Sequence, residues 1–398
     1  MSVSTLHSRP RVTAVRRVVV SALLTVFLAA GCKSPLDTSV AGGGVVKTVT
    51  SGQDWSASNK AEPTINAKGK QSAPAQSAIA SSSVTKLAFV PGSSTKVFAS
   101  AITQGLFYSS NGAETWTQVL SKFNVFDFVI DPTNEEHIYV AGQSTAHARV
   151  LESKDGGKSW QEVFNDAVSQ NSARSIALNP NDVRQVLVGL NSGDLLLSQD
   201  GGQTWSLIQN FQDSVQQISW PTPTLLYVLT RVKGLYVSRD AGRTLENISK
   251  PLIDLGVWRK NLPTEPPLPS GDQTEIVKSD LPSSAVQTFY RLAVHTQDPT
   301  KIYVSADNGV FSNSDGGRLW SYLRLPLRRT ENSAVRAVAL GDQNRALYVG
   351  VANTVYKSTN EGQAWQVTAI ATDAVINYIL VDFNVPSVAY IGLTGTRY

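Results

Sequence analysis

The chain has 398 residues, 41% hydrophobic and 17% charged, with one cysteine. That is ample apolar material for a large core, and no disulfide can form within the chain to brace it. Lys and Arg number 35 against 31 Asp and Glu, but four of the arginines and none of the acids lie in residues 1–31. The net charge of +4 therefore belongs to the leading segment, and the balanced remainder excludes a polybasic nucleic-acid binder.

The N-terminus reads as a targeting segment. Arg9, Arg11, Arg16 and Arg17 form a charged region ahead of the apolar run "VVVSALLTVFLAA" (18–30). Such a run has the length of a signal-peptide core and is too short to span a membrane easily. It ends in "AAGC", which resembles a bacterial lipobox. The resemblance implies a signal peptide over 1–31, lipidation of Cys32 and a tether over 32–43. It also implies passage across the inner membrane and a lipid-anchored envelope location. Lys33, where an Asp would resemble an inner-membrane retention signal, favours the outer membrane, facing the periplasm or the cell surface.

Residues 43–58, "GGVVKTVTSGQDWSAS", read as two short strands around a turn, and 44–58 are assigned as such. Residues 59–84 are rich in Ala, Ser, Gln and Lys and are predicted to be a flexible linker. From residue 85 onward one unit repeats. Residues 174–208 contain four short apolar runs, "SIAL", "QVLVGL", "DLLLS" and "TWSLI", separated by "NPND", "NSGD" and "QDGG". Short strands joined by Gly/Asn/Asp/Pro turns predict a four-stranded antiparallel meander. The third turn carries a box, "SQDGGQTW" (198–205). Other copies are "SSNGAETW" (109–116), "SKDGGKSW" (153–160), "SRDAGRTL" (238–245), "NSDGGRLW" (313–320) and "STNEGQAW" (358–365). Their last residues are spaced 44, 45, 40, 75 and 45 apart, a period that signals a propeller or solenoid. The 75-residue step contains a Pro-rich insertion at about 247–286.

A lone four-stranded sheet cannot cover both its faces; blades packed radially can. The expected fold is all-β, a single β-propeller of four-stranded antiparallel blades over 85–398. Six boxes allow six blades, but the ends favour seven. Residues 377–393 supply two strands with no box after them. Residues 43–58 align with the box of 198–205, with Trp55 on Trp205, Gly52 on Gly202 and Thr50 on Asp200. The two ends would complete one blade together.

The pattern Ser-x-Asp-x-Gly-x-Thr-Trp resembles the Asp-box, or BNR, repeat. That repeat occurs in sialidases, sortilin, xyloglucan-degrading glucanases and the thylakoid lipoprotein factor that assists photosystem II assembly. The resemblance implies that each box occupies the turn between the third and fourth strands. In that turn Asp155, Asp200, Asp240 and Asp315 can accept backbone N–H bonds, while Gly157, Gly202, Gly242 and Gly317 permit positive φ. Trp160, Trp205, Trp320 and Trp365 can wedge between blades. A calcium loop needs five or more oxygens. With one acid per turn, and Asn111 and Asn360 in its place in two copies, the boxes read as structural, with no metal and no cofactor expected.

Strand order places the boxes on the bottom face. The second-to-third turns and the blade connections lie on top. Alignment of the first strands puts Thr85, Phe126, Arg174, Gln216, Tyr290, Arg336 and Asn377 near the top mouth of the channel. Lys86, Asp127, Ser175, Gln217, Arg291, Ala337 and Tyr378 follow at the next level. Arg174, Arg291, Arg336 and Lys86, with Tyr290, are candidates for anion binding, because guanidinium forks suit carboxylates and phosphates. Pairing with Asp127 is the competing reading. In the insertion, Trp258 and Arg259 are candidate partner contacts.

No catalytic residue is assigned. "YRLA" (290–293) partly resembles the arginine motif of sialidases, with Ala293 where a proline is expected. His137, His147 and His295 are too scattered to read as a triad or a metal site. The expected function is a lipid-anchored, non-catalytic protein-binding or assembly scaffold with a protein partner in the envelope. The alternative is a glycan-binding or sialidase-like glycoside-hydrolase propeller.

Overall fold

A computed structural model describes residues 43–63, 71–72, 77–250, 252, 288–307, 309–327 and 334–395. The targeting segment, Cys32, Trp258 and Arg259 lie outside the described residues. So does the insertion from 253 to 287.

Seven antiparallel sheets form a seven-bladed β-propeller. The third blade, with strands Ala173–Asn179, Asp182–Leu190, Asp194–Ser198 and Ser206–Asn210, shows why its sequence folds this way. Its first two strands read as near-continuous apolar runs because a neighbouring blade covers each face; Ile176, Val186 and Val188 are all buried. Its outermost strand is mostly exposed and correspondingly polar. The core is thus a series of slabs between blades. One slab joins Tyr139 and Val150 of the second blade to Ile176 and Val188 of the third. Gly189 lets the blades approach: a Cβ there would lie 2.3 Å from Val215 of the fourth blade.

Each box ties one turn, and the boxes that end in a bonded indole fasten it to the blade before. In "SQDGGQTW" the Asp200 carboxylate accepts the Thr204 N–H at 2.9 Å and the Ser198 hydroxyl at 2.7 Å. Bonds from the Thr204 hydroxyl and backbone hold this exposed carboxyl down to about 2. Gly202 adopts φ +93° against Val163 of the second blade, a conformation that disfavours any side chain. The Trp205 indole N–H then donates to Val163 O at 2.9 Å. Equivalent bonds run from Trp160 to Val119 O, Trp320 to Ile248 O and Trp365 to Arg324 O, at 3.0, 2.9 and 2.7 Å. The fourth blade has Leu245 at this position and no such donor.

The last blade joins the two ends of the chain. Strands Val375–Val381 and Ala389–Thr394 form its inner half, and Gly43–Thr48 and Ser56–Ala57 its outer half. Val46 pairs with Ile391 and Lys47 with Tyr390. Thr50 takes the place of the box aspartate: its hydroxyl accepts the Asp54 N–H at 2.9 Å. This worn box fastens less well than the others. The Trp55 indole bonds Gly52 O of its own turn, and the buried Tyr348 hydroxyl of the sixth blade has no hydrogen-bond partner.

The segment that composition marks as linker is packed at its described ends. Lys60–Ala61 pairs in parallel with Thr115–Trp116 as a fifth strand of the first blade. The Asn59 side chain accepts Val45 N–H at 2.8 Å, and Ile79, in a 3₁₀ turn at Ala78–Ser81, is buried. One buried acceptor and one apolar plug outweigh the polar average of the stretch. Here the Trp116 indole donates to Ser58 O at 2.7 Å.

Trp116→Phe should therefore cost about 1–3 kcal/mol, because it leaves the buried Ser58 carbonyl unpaired. Trp55→Phe should cost under about 1 kcal/mol, since its bond is local and half-exposed. Urea denaturation of the two variants measures the difference. Equal losses would contradict the uneven fastening of the closing blade.

Candidate functional site

At the top mouth a single backbone irregularity recurs in all seven innermost strands. The pairing register slips between Val84 and Lys86, Val125 and Asp127, Ala173 and Ser175, and Val215 and Gln217. It slips again between Phe289 and Arg291, Val335 and Ala337, and Ile376 and Tyr378. The skipped residues are Thr85, Phe126, Arg174, Gln216, Tyr290, Arg336 and Asn377. A β-bulge re-aims its side chain. Here it breaks the alternation that would send successive residues to opposite faces. All seven bulged residues line one cavity of about 640 Å³ at the mouth.

Five of the seven residues after the bulges, Lys86, Asp127, Ser175, Gln217 and Arg291, lie beneath and stitch the inner strands together. Asp127 accepts Lys86 Nζ from the first blade at 2.7 Å. It also accepts the Ser175 hydroxyl and Ile176 N–H from the third, at 2.7 and 3.0 Å. Ser175 Oγ in turn accepts Ile218 N–H of the fourth blade at 2.9 Å. The Gln217 amide exchanges two bonds with the backbone of Leu292 in the fifth, at 2.9 and 3.0 Å. Arg291 crosses the channel from the fifth blade and donates to Thr85 O of the first at 2.8 Å. Its guanidinium also lies 5.1 Å from the centre of the Tyr378 ring.

The sequence candidates therefore separate. Lys86 does not line the cavity; it is held by Asp127 and by Phe128 O at 2.7 Å. Burial pulls its ammonium down, but Asp127 outweighs this and holds it above its ordinary value. Arg291 reaches the cavity floor but serves as a crossbar. Arg174 and Arg336 face the cavity and rest on aromatic rings, Arg174 4.3 Å from Phe126 and Arg336 5.9 Å from Tyr290. Tyr290 also lines the cavity, with its hydroxyl on Asp307. Burial, then that bond, raises the phenol to about 12.

Arg231 was not identified from the sequence, yet it lines the cavity. It follows the second strand of the fourth blade, Leu226–Thr230. Aligning the residues just after each second strand, among them Ile102, Asn191, Arg231 and Asp307, would have brought it forward. Burial, and then the charges of Arg291 and Arg231, lower the Arg174 guanidinium to about 10.

Among the described residues the cavity is lined by four arginines, by neutral amides and hydroxyls and by Ile102 and Phe126, with no carboxylate. Among the described residues, none of Arg174, Arg231 and Arg336 forms an ion pair. No described group of three or more His, Cys, Asp or Glu side chains is placed to hold a metal. A Tyr/Glu pair does exist, Tyr139 with Glu152 at 3.0 Å. It lies on the bottom face, with Tyr139 buried and its hydroxyl pushed up by burial and by Glu152. Such a phenol is poorly placed to act as a nucleophile.

The Sortilin-Vps10 family model (sortilin, neurotensin receptor 3) matches residues 104–224, so the repeats are of the BNR propeller type. No curated protein matches the sequence significantly. The fold is similar to that of the GH74 xyloglucanase from Xanthomonas campestris, with TM-score 0.59 and 18% identity over 79% of this chain and 51% of that one. The chain thus spans about half the length of that enzyme. YCF48 bound to D1 peptide matches with TM-score 0.56 and 16% identity, over 79% of this chain and 91% of that one. YCF48 from Cyanidioschyzon merolae matches with TM-score 0.55 and 12% identity, over 79% and 94%. At these identities the likeness is one of fold.

Lys86→Met should cost about 3 kcal/mol, the low end for breaking a buried pair, because the Lys86 side chain keeps 23% exposure. The wild-type contribution should be complete below the ordinary lysine value of 10.5 and fall as pH rises through the elevated folded value. Urea denaturation from pH 8 to 11.5 should show the two proteins converging at the alkaline end. A constant difference would contradict the assignment.

Proposed function

We propose that this propeller of BNR-type repeats is a lipid-anchored cell-envelope protein, acting as a non-catalytic protein-binding or assembly scaffold through the cup at its top mouth. One observation carries the reading: among the described residues, four arginines line the cup and no carboxylate does. Most glycoside hydrolases place a pair of carboxyl groups across the scissile bond. A basic, pre-formed cup supplies orientation and charge complementarity instead. YCF48, of similar fold, has been captured with a peptide, which supports a binding role for this architecture. Anchoring rests on the "AAGC" stretch ending at Cys32. Among the described residues no helix is long and apolar enough to cross a membrane.

The second reading is a glycan-binding or sialidase-like propeller. The fold shared with a xyloglucanase and the arginine-rich mouth favour it. The two readings differ in what the cup does to its ligand.

Envelope extracts passed over the protein should yield a partner that Arg174→Ala/Arg336→Ala loses, and a fluorogenic glycoside panel should show no turnover. Turnover abolished by Arg291→Ala would overturn the scaffold reading.

The wild-type protein should incorporate labelled palmitate and Cys32→Ser should abolish that incorporation. Absence of label in the wild type, or label retained in Cys32→Ser, would remove the lipid anchor at Cys32.

A further inference from the structure

The cup is not uniform around its rim. Its charged residues belong to consecutive blades: Arg174 to the third, Arg231 to the fourth, Arg291 to the fifth and Arg336 to the sixth. The rim on the seventh, first and second blades is neutral, with Asn124, Gln143, Asn377 and Thr394 beside Ile102 and Phe126. The guanidiniums sense one another: after burial, the charges of Arg291 and Arg231 lower that of Arg174.

The nearby carboxylates are already engaged. Asp127 is taken by Lys86 at 2.7 Å. Asp307 accepts the Tyr290 hydroxyl on one oxygen and Thr288 N–H on the other. Arg291 is committed to Thr85 O. Among the described residues, three guanidiniums, those of Arg174, Arg231 and Arg336, are left facing one side of the cavity without an anion. A single carboxylate carries one charge and would leave the cluster with an excess of two. A phosphomonoester carries nearly two charges near neutral pH and has three strong acceptor oxygens, one for each guanidinium fork.

We propose that the charged half of the cup is a phosphomonoester site, with Arg174, Arg231 and Arg336 holding the phosphoryl oxygens. The neutral half takes the polar remainder of the ligand. This rests on the cup being the binding site of the scaffold, and it names the chemistry the cup selects. The phosphoryl group could belong to a soluble ester or to a lipid headgroup.

The test uses the full chain carrying Cys32→Ser, a change remote from the cup. Glycerol 3-phosphate, sulfate and acetate are titrated calorimetrically between pH 5 and pH 7.5. The ester gains its second charge near pH 6, so its affinity should rise about tenfold over this range. Sulfate, a dianion throughout, should bind with little pH dependence and reports any titration of the protein itself. The titratable groups facing the site are Arg174, Arg231, Arg291, Arg336, Tyr290 and Asp307, with Lys86 and Asp127 beneath; no histidine lines it.

Arg174→Ala and Arg336→Ala should each weaken the ester about tenfold, and Arg336→Lys should weaken it less. Melting curves without ligand confirm that each variant is folded. Co-sedimentation with phosphatidate-containing vesicles, against phosphatidylcholine alone, distinguishes the sources. Selective vesicle binding indicates a lipid ligand, and its absence alongside ester binding indicates a soluble one. Acetate binding as tightly as the ester, or ester affinity independent of pH, would overturn the phosphoryl assignment. If no anion binds but the envelope partner is still captured through Arg174 and Arg336, the phosphoryl assignment falls and the scaffold reading stands.

Discussion

Every blade depends on its neighbours for burial, so the sheets are stable only as a closed ring. A single four-stranded sheet would leave two apolar faces in water. The ring closes where Gly43–Thr48 pairs along the whole of Ala389–Thr394, joining strands more than three hundred residues apart in sequence. The indole bonds from five of the boxes to the preceding blade act along this closed path. They fix the outer edge of each blade, while the belt from Lys86 to Gln217 fixes the inner edge. Between those two sets of polar bonds the apolar slabs supply most of the stabilisation.

The same inner belt prepares the mouth. A bulge in each first strand turns one residue upward and leaves the next to stitch blades together. Lys86 neutralises Asp127, and Arg291 spans the channel below the cup. The floor is therefore rigid and its acid already satisfied. The arginines above keep their charge available because the local carboxylates have other partners. The basic mouth thus follows from how charges are paired lower in the channel as well as from how many arginines reach it.

The ring and its closure were legible because they rest on patterns that repeat in register. Thr50 in the place of Asp200 could be recognised because six better copies defined the position. The level of Arg174, Tyr290 and Arg336 was legible for the same reason, through apolar strands that align without gaps. What could not be read was how each side chain spends its hydrogen bonds. Lys86 and Arg174 sit on adjacent levels, in the first and third blades, yet one is consumed by Asp127 and the other faces the cavity. Arg231 was missed because it lies in a turn, where no apolar periodicity marks its level. Asn59 and Ile79 were missed because composition averages over a stretch, whereas packing depends on single residues.

The central claim is that ligands meet this propeller at the arginine-lined mouth and leave the boxes untouched. Hydrogen–deuterium exchange with the captured envelope partner tests it most directly. The account predicts slowed exchange in the second-to-third turns and at the starts of the inner strands, around 102–105, 174–176, 191–193, 231–234 and 336–338. Exchange in the box turns, around 155–159 and 200–204, should not change. Protection confined to the box turns, with the mouth unaffected, would contradict the account.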